Sequence, residues 1–227
     1  MEVLWWVCGF IIVEAMIGYP VSLFLLDKLL KKPDNKKDNS FEPTVTIMVV
    51  AHNEEKVIGE KLNNLIGLDY PNEKIKILVA SDFSTDSTNE IVEDFISLHK
   101  ERNISLYKSV EHFGKTNAQN EAQELVDSEI LVMTDANAIL DKRAIKELVS
   151  SFSSDEIVYV SGQLKYINSA INDTAESEGF YWRIDLFCRL IESKIQTITA
   201  GNGAIYACRN KDYVKIEPIG CHDGSFP

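Results

Sequence analysis

Apolar and polar positions along residues 44–152 follow a pattern typical of strands that alternate with amphipathic helices. Four apolar runs predict buried strands: Thr44–Val50, Ile75–Ala80, Ile104–Tyr107 and Ile130–Met133. Between and after them, apolar residues recur at intervals of three and four, which predicts helices. The alternation favours an α/β fold with a largely parallel, doubly wound sheet and helices on both of its faces.

The pattern is harder to interpret beyond Asp155. Short apolar runs predict strands at Ile157–Val160, Leu164–Ile167 and Ala204–Cys208, the last of them after the turn Gly201-Asn202-Gly203. Apolar residues from Phe180 to Ile191 fall at helical spacing and predict one long helix.

The N-terminal residues have a different pattern, because Val3–Leu26 is apolar almost throughout and carries one charge, Glu14. A helix of this length spans a bilayer. Lysines follow the apolar segment and none precedes it, which predicts a cytoplasmic globular part. We therefore expect a single-pass membrane helix at residues 1–27, a polar linker at 28–43 and one folded domain at 44–227.

Composition excludes some classes of protein. With 35 acidic and 23 basic residues the formal net charge is −12, which disfavours nucleic-acid binding. The four cysteines form no C-x-x-C pair, which argues against a zinc site or a disulfide scaffold and favours a reduced cytosolic setting.

Acidic and polar side chains follow three of the predicted strands: Asn53 with Glu54, then Asp82, then Asp135. Because the carboxyl ends of parallel strands share one edge of a sheet, these side chains should converge. Asp135 and Asn137 offer oxygen atoms at alternate positions, which suits a divalent cation that holds phosphate oxygens. In the alternative interpretation Asp135 caps a turn, Glu54 lies in a first helical turn, and Asp82 or Asp86 is a helix N-cap.

The sequence resembles the family-2 glycosyltransferases of the GT-A fold. The resemblance rests on five motifs in order: Ala51-His52-Asn53-Glu54, Ser81-Asp82-Phe83-Ser84-Thr85-Asp86, Gly114-Lys115, Thr134-Asp135-Ala136-Asn137 and Gly201-Asn202-Gly203-Ala204-Ile205-Tyr206-Ala207. Tyr181-Trp182-Arg183 and the later Glu192-Ser193 are similar to the membrane-associated bacterial branch of that family, whose products include envelope and capsule polysaccharides.

The resemblance implies a donor, a metal ion and a reaction. Ala51, Glu54 and Asp82 would hold the base and ribose of a nucleotide-diphospho-sugar, of which a UDP-sugar is the expected type. Lys115 would contact the diphosphate, and Asp135 with Asn137 would bind Mg²⁺ or Mn²⁺. The resemblance also implies an inverting displacement, with a late acidic residue as the base.

The remaining site residues lie late in the chain. Asp223 is the candidate base, although His222 stands where the family often has a second acidic residue. The loop Gly201-Asn202-Gly203 would lie under the donor sugar or the acceptor, where glycine permits close backbone approach. Trp182 would stack on an acceptor sugar, or else pack in the core. The acceptor is expected to be a saccharide or a lipid-linked molecule at the membrane.

Two departures from the family pattern keep an alternative open. Asn137 stands where a second aspartate is frequent, and a neutral amide gives one oxygen and no charge. The chain ends at Pro227, where polymer-building members continue, so we expect an incomplete C-terminal part, from truncation or because a second polypeptide completes the acceptor side. The alternative is a non-catalytic, membrane-tethered partner subunit that keeps the fold and the nucleotide site. A nucleotidyltransferase is disfavoured, because Ala51-His52-Asn53-Glu54 is not the Gly-rich, basic loop of that class.

Overall fold

The computed structural model describes residues 2–29, 37–163, 184–194, 201, 203–218, 220 and 224. These residues belong to two compact units. One contains the N-terminal helix and a helix at 184–194, and the other contains the sheet with its helices. The predicted strand at Leu164–Ile167 lies outside the described residues, and the domain limits predicted at residues 27 and 43 stay predictions.

The first unit is built on one long N-terminal helix. It comprises α1 (Glu2–Val13), a π-helical segment (Glu14–Gly18) and α2 (Tyr19–Leu29). The helix is long and apolar enough to cross a membrane, and most of its apolar side chains are exposed. An apolar surface of this size needs a cover of lipid or protein. Near its end, Leu23 packs against Cys188 and Ile191 of the helix at 184–194, here called α7.

The second unit contains all six strands and four helices of the described chain. In order they are β1 (Val45–Ala51), α3 (Ile58–Ile66), β2 (Ile75–Ser81), α4 (Thr88–Leu98), β3 (Ile104–Lys108), α5 (Lys115–Gln123), β4 (Ile130–Asp135), α6 (Ala144–Val149), β5 (Tyr159–Ser161) and β6 (Ile205–Arg209).

The strands form one sheet in the order β3-β2-β1-β4-β6-β5. The pairs β1–β2, β2–β3 and β1–β4 are parallel, whereas β6 runs antiparallel to both β4 and β5. The predicted α/β class is confirmed. The antiparallel part was not visible in the sequence, because a buried strand has the same apolar pattern in either direction.

The sheet is buried on both faces, which explains the unbroken apolar runs of its strands. Val45, Ile47 and Val49 face a core shared with α3, α4 and α6. Met48 faces the opposite core, to which α5 contributes Ala122. Helices therefore cover both faces, as the pattern predicted.

The register of the parallel strands decides where polar residues emerge. Ala51 pairs with Ser81, and Val50 pairs with Asp135. The last residues of β1, β2 and β4 therefore lie at one edge of the sheet, and the loops that follow begin there.

Candidate active site at the carboxyl edge of the sheet

Asp82 and Asp135 lie at the same edge of the sheet. Asp82 comes directly after β2, and its backbone N–H donates a hydrogen bond of 2.9 Å to the carbonyl oxygen of Ala51. Asp135 is the last residue of β4, beside β1. The structure thus brings together side chains separated by 53 positions in the sequence, in the arrangement expected of parallel strands.

Lys115 reaches this edge from α5. It is the first residue of that helix and follows Gly114, whose φ of +91° favours glycine. Its Nζ lies 2.5 Å from Asp135 Oδ1, and both side chains are more than a third exposed. A pair so exposed adds little stability. The N-terminus of α5 points its positive dipole end toward the same edge, where an anion would be stabilised.

Side chains of helix α3 form hydrogen bonds to the loop that contains Asp135 and Asn137. The side-chain amide of Asn64 both donates to and accepts from the backbone of Leu140, at 2.9 and 2.8 Å. Lys61 Nζ donates to the carbonyl oxygen of Ala138 at 2.5 Å and to Thr134 Oγ1 at 2.8 Å. Helix α3 therefore binds the side chain that precedes Asp135 and the backbone that follows it.

The turn that precedes β6 belongs to the same hydrogen-bond network. Thr134 Oγ1 donates to the carbonyl oxygen of Ala204 at 2.7 Å while it accepts from Lys61. Since Thr134 also pairs with Ile205, the segment at 203–204 lies beside the end of β4. Gly203 therefore lies near the end of β4, where Asp135 is located.

Lys61 is the residue that sequence reasoning missed. Its side chain is fully buried, and burial lowers the pKa of its ammonium group from 10.5 to about 7, with a smaller opposite effect from the charge of Asp135. The available signal was its position: Lys61 lies on the same face of α3 as Ile58, Leu62 and Leu65. A charged residue on an apolar helical face requires a partner, and here the partners are the oxygens of the Asp135 loop.

Asn53 connects the loop after β1 with the loop after β2. It has a positive φ of 55°, and its Oδ1 accepts backbone N–H groups of Thr85 at 2.8 Å and Asp86 at 3.3 Å. The next residue, Glu54, donates its N–H to Thr88 Oγ1 at 2.8 Å. The loop after β1, which contains Glu54, is therefore fixed to the loop after β2 and to the start of α4.

Two histidines surround the buried carboxylate of Asp82. His112 Nδ1 lies 2.8 Å from Asp82 Oδ2, and His52 Nδ1 lies 2.6 Å from the Asp82 carbonyl oxygen. The imidazole rings stack with centroids 4.2 Å apart. Asp82 is 2% exposed, and its Oδ1 has no hydrogen-bond partner in the described part of the chain. A buried polar atom without a partner costs about 1–3 kcal/mol, which a ligand that donates a hydrogen bond would recover.

Three of the predicted site residues, Asn202, Asp223 and Trp182, lie outside the described residues. Six of the others converge as far as their backbone positions go, because all lie at or just beyond the carboxyl edge: Ala51, Glu54, Asp82, Lys115, Asp135 and Asn137. Asn137 is exposed two residues after β4. Their roles in binding stay predictions.

The carboxyl edge of the parallel strands carries carboxylates, an amide and a lysine. Such an edge is typical of the class of α/β proteins that bind phosphorylated ligands. Residues 46–215 match the sequence model of glycosyl transferase family 2, and the chain belongs to this family. The resemblance seen in the sequence is thereby confirmed.

Curated relatives include enzymes of lipid and polysaccharide glycosylation. The beta-monoglucosyldiacylglycerol synthase of Synechocystis sp. is 27% identical over 175 residues, which cover 76% of this chain and 36% of the relative. The poly-beta-1,6-N-acetyl-D-glucosamine synthase of Staphylococcus aureus is 30% identical over 128 residues, which cover 56% of this chain and 29% of the relative. The chain therefore matches about a third of the length of these proteins.

Solved structures agree with the GT-A-like fold. The mannosyltransferase PcManGT of Pyrobaculum calidifontis, in complex with GDP-Man and Mn²⁺, is 26% identical with a TM-score of 0.79. The match covers 95% of this chain and 60% of the mannosyltransferase. S. aureus TarS in complex with UDP-GlcNAc is 24% identical with a TM-score of 0.50 over 56% of this chain and 36% of TarS, a likeness of fold alone.

The buried Lys61 predicts a dependence of stability on pH. Between pH 7 and its ordinary pKa of 10.5, the unfolded chain holds a proton that the folded chain has released. The free energy of unfolding of the wild type should therefore rise with pH relative to Lys61→Met, by up to about 1.4 kcal/mol per pH unit. Urea denaturation of the full chain in detergent between about pH 7.5 and 9.5 measures this difference.

Lys56→Met is the matched control, because Lys56 is exposed and lies in the turn that precedes α3, five residues before Lys61. Its difference from the wild type should stay constant over the same pH range. Parallel stability curves for the wild type and Lys61→Met would contradict the assignment of Lys61 as a buried group that releases its proton.

Proposed function

We propose that this chain binds a nucleotide-diphospho-sugar of the UDP-sugar class at the carboxyl edge of β1, β2 and β4. It then transfers the sugar, with inversion, to a hydroxyl acceptor at a membrane. The observation that carries the proposal is the meeting of Asp82, Asp135 and Lys115 at this one edge. Membership of glycosyl transferase family 2 supports the reaction class.

The nucleoside part of the donor fits the region around Asp82. A carboxylate accepts hydrogen bonds from an imide N–H or a ribose hydroxyl. Asp82 Oδ1 is buried and has no partner among the described residues, so it is suited to accept one N–H from the base. Ala51 and Glu54 at the end of β1 form the adjacent wall for the base and ribose.

The diphosphate fits between Lys115 and Asp135. Lys115 pairs with the Asp135 carboxylate, and phosphate oxygens would give it a second charged partner at the same place. The N-terminus of α5 adds backbone N–H groups and positive dipole charge. This local positive charge would favour the diphosphate at this edge, although the whole chain has a net charge of −12.

A divalent cation fits the oxygen atoms of Asp135 and Asn137. A carboxylate and an amide carbonyl are ligands that Mg²⁺ and Mn²⁺ accept, and both side chains are accessible to solvent. When bound, such an ion would offset the negative charge that develops on the departing nucleoside diphosphate. Lys61 and Asn64 hold the backbone of this loop in place, which keeps the oxygen atoms oriented before the donor arrives.

The transfer requires a base for the acceptor hydroxyl. The hydroxyl oxygen attacks C1 of the sugar, the bond from C1 to the diphosphate oxygen breaks, and the proton goes to a carboxylate. Asp223 is our candidate for this base. Thr116 Oγ1 donates to the carbonyl oxygen of Gly220 at 2.7 Å, which fixes the chain next to Lys115.

The acceptor is a saccharide or a lipid-linked molecule. The relatives named above are a glucosyldiacylglycerol synthase and a polysaccharide synthase, and an apolar N-terminal helix would hold the site near a bilayer. The lysines that follow this helix favour a cytoplasmic domain. Gly201, Asn202, Gly203 and Trp182 are the residues we assign to the donor sugar and acceptor.

Replacement of Asp135 by alanine should abolish most of the transfer. We expect release of UDP from UDP-glucose or UDP-GlcNAc by the full chain in membranes to fall by about 10²–10³-fold, because charge stabilisation at the diphosphate is lost. Chelation by EDTA should have a similar effect that added Mn²⁺ reverses. Asp127→Ala is the control, since Asp127 pairs with Lys76 on the surface away from this edge.

Full activity of Asp135→Ala would contradict the assignment of Asp135 to the diphosphate and metal site. Binding of UDP that depends on Mn²⁺, with no release from any donor by the wild type, would instead favour the non-catalytic partner subunit.

A second carboxylate at position 137 should strengthen metal binding. Asn137→Asp adds one charge and one oxygen, so the Mn²⁺ concentration that half-saturates UDP binding should fall by about tenfold. Isothermal titration of UDP at several Mn²⁺ concentrations measures the shift. Asn103→Asp adds the same charge to an exposed position before β3, at the opposite end of the strands, and should cause no shift. Equal Mn²⁺ requirements in all three proteins would show that residue 137 is not a ligand.

The base assignment is tested separately from donor binding. Asp223→Asn keeps the size of the side chain but cannot take a proton, so transfer to acceptor should fall by about 10²–10⁴-fold while UDP binding is retained. Loss of UDP binding with transfer, or transfer at the wild-type rate, would contradict the role of Asp223 as the base.

A further inference from the structure

The cluster of His52, Asp82 and His112 is separate from the oxygen ligands of Asp135 and Asn137 and has a different chemistry. One potential ligand atom from each of the three residues lies within 4.8 Å of the others. Two imidazoles and one carboxylate form a donor set that suits zinc and similar ions, whereas Mg²⁺ and Mn²⁺ prefer oxygen atoms alone.

We propose that His52, Asp82 and His112 form a second metal site, which takes a transition-metal ion of the zinc class and overlaps the pocket for the donor base. This site goes beyond the transfer reaction, and its existence does not depend on that reaction.

The hydrogen bonds of His52 leave Nε2 as the ring nitrogen that can bind an ion. Its Nδ1 lies 2.6 Å from the Asp82 carbonyl oxygen, an acceptor only, so Nδ1 carries the proton. The lone pair is then on Nε2, which the Asn53 side-chain amide approaches at 3.3 Å. An imidazole that donates one N–H to a backbone carbonyl and offers its other nitrogen is the usual arrangement of a metal-binding histidine.

The distances around Asp82 are close to those of a metal site. Two tetrahedral ligands, each about 2.0–2.1 Å from zinc, are roughly 3.3 Å apart. His112 Nδ1 and Asp82 Oδ2 are 2.8 Å apart, so a small outward movement of the exposed imidazole would admit the ion. The two rings stack with centroids 4.2 Å apart, so the exposed His112 ring would also turn as it moves outward, which directs both lone pairs at the ion.

The burial of the Asp82 carboxylate is a second observation that favours a cation at this cluster. Asp82 is 2% exposed, and its Oδ1 has no partner in the part of the chain that the structure describes. A buried charged group with an unused oxygen is suited to a cation, and the exposed histidines leave the outer coordination position open to water. Because the same carboxylate is our candidate acceptor for the base, an ion here would exclude the donor.

The test is metal binding to the full chain, purified in detergent without a histidine tag. Co²⁺ should give the visible absorption of a tetrahedral site, and Zn²⁺ should displace it. His52→Gln and His112→Gln should each weaken Zn²⁺ binding by about tenfold or more, since even outer partners of a metal ligand contribute this much. Circular dichroism confirms that the variants are folded.

Two controls locate the ion. His99→Gln removes a histidine outside the cluster that lies by Phe95 and Glu101, and Asp135→Asn alters the other site; both should bind Zn²⁺ like the wild type. Unchanged Zn²⁺ binding in His52→Gln and His112→Gln, or its loss in Asp135→Asn, would overturn the proposal.

Uridine tests the overlap, because it has a base and a ribose but no phosphate to chelate metal. Uridine should raise the Zn²⁺ concentration that half-saturates the site. Zn²⁺ binding that is independent of uridine would overturn the overlap with the base pocket. None of these measurements uses sugar transfer, so failure of the proposed reaction would leave their result unaffected.

Discussion

The register of three parallel strands is the constraint on which the whole site depends. β1 lies between β2 and β4, and its pairing brings Ser81 next to Ala51 and Asp135 next to Val50. A slip of one residue in either pair would turn every side chain of a strand to the other face of the sheet. The two apolar cores prevent this, because each needs its own alternate set of side chains from the same strands. Burial of the apolar side chains therefore fixes the register, and the register determines which polar residues lie at the carboxyl edge.

The loops beyond this edge are held by hydrogen bonds of buried and half-buried polar groups. Lys61 connects the loop after β4 with Thr134, and Thr134 connects it with the turn before β6. Such a network stabilises only when its members are satisfied, and removal of one partner leaves buried polar atoms without bonds. Burial in this network lowers the pKa of Lys61 to about 7, because the charged ammonium group loses its solvation by water.

Much of the fold could be predicted from the sequence, because long apolar runs predict buried strands and apolar residues at helical spacing predict helices. The meeting of Asp82 and Asp135 followed from strand direction alone, and the five ordered motifs identified the family. The antiparallel direction of β6 could not be predicted, because side-chain burial is the same in both directions.

The roles of Lys61, His52 and His112 were also not predictable. His52 and His112 are 60 positions apart, and no local pattern shows that their rings stack. Lys61 lies in an apolar helical face, but only the tertiary structure shows which carbonyl oxygen it meets. Contacts between loops depend on the path of the backbone after each strand, which propensity and periodicity leave undetermined.

We propose that the carboxylates of Asp82, directly after β2, and Asp135, at the end of β4, serve one ligand in two different ways. Isothermal titration of UDP into the full chain, with and without Mn²⁺, tests it most directly when the wild type is compared with Asp82→Asn and Asp135→Asn. The account predicts weaker binding in both variants, with the benefit of Mn²⁺ retained in Asp82→Asn and lost in Asp135→Asn. Wild-type affinity in both variants, or an equal loss of the Mn²⁺ effect in both, would contradict it.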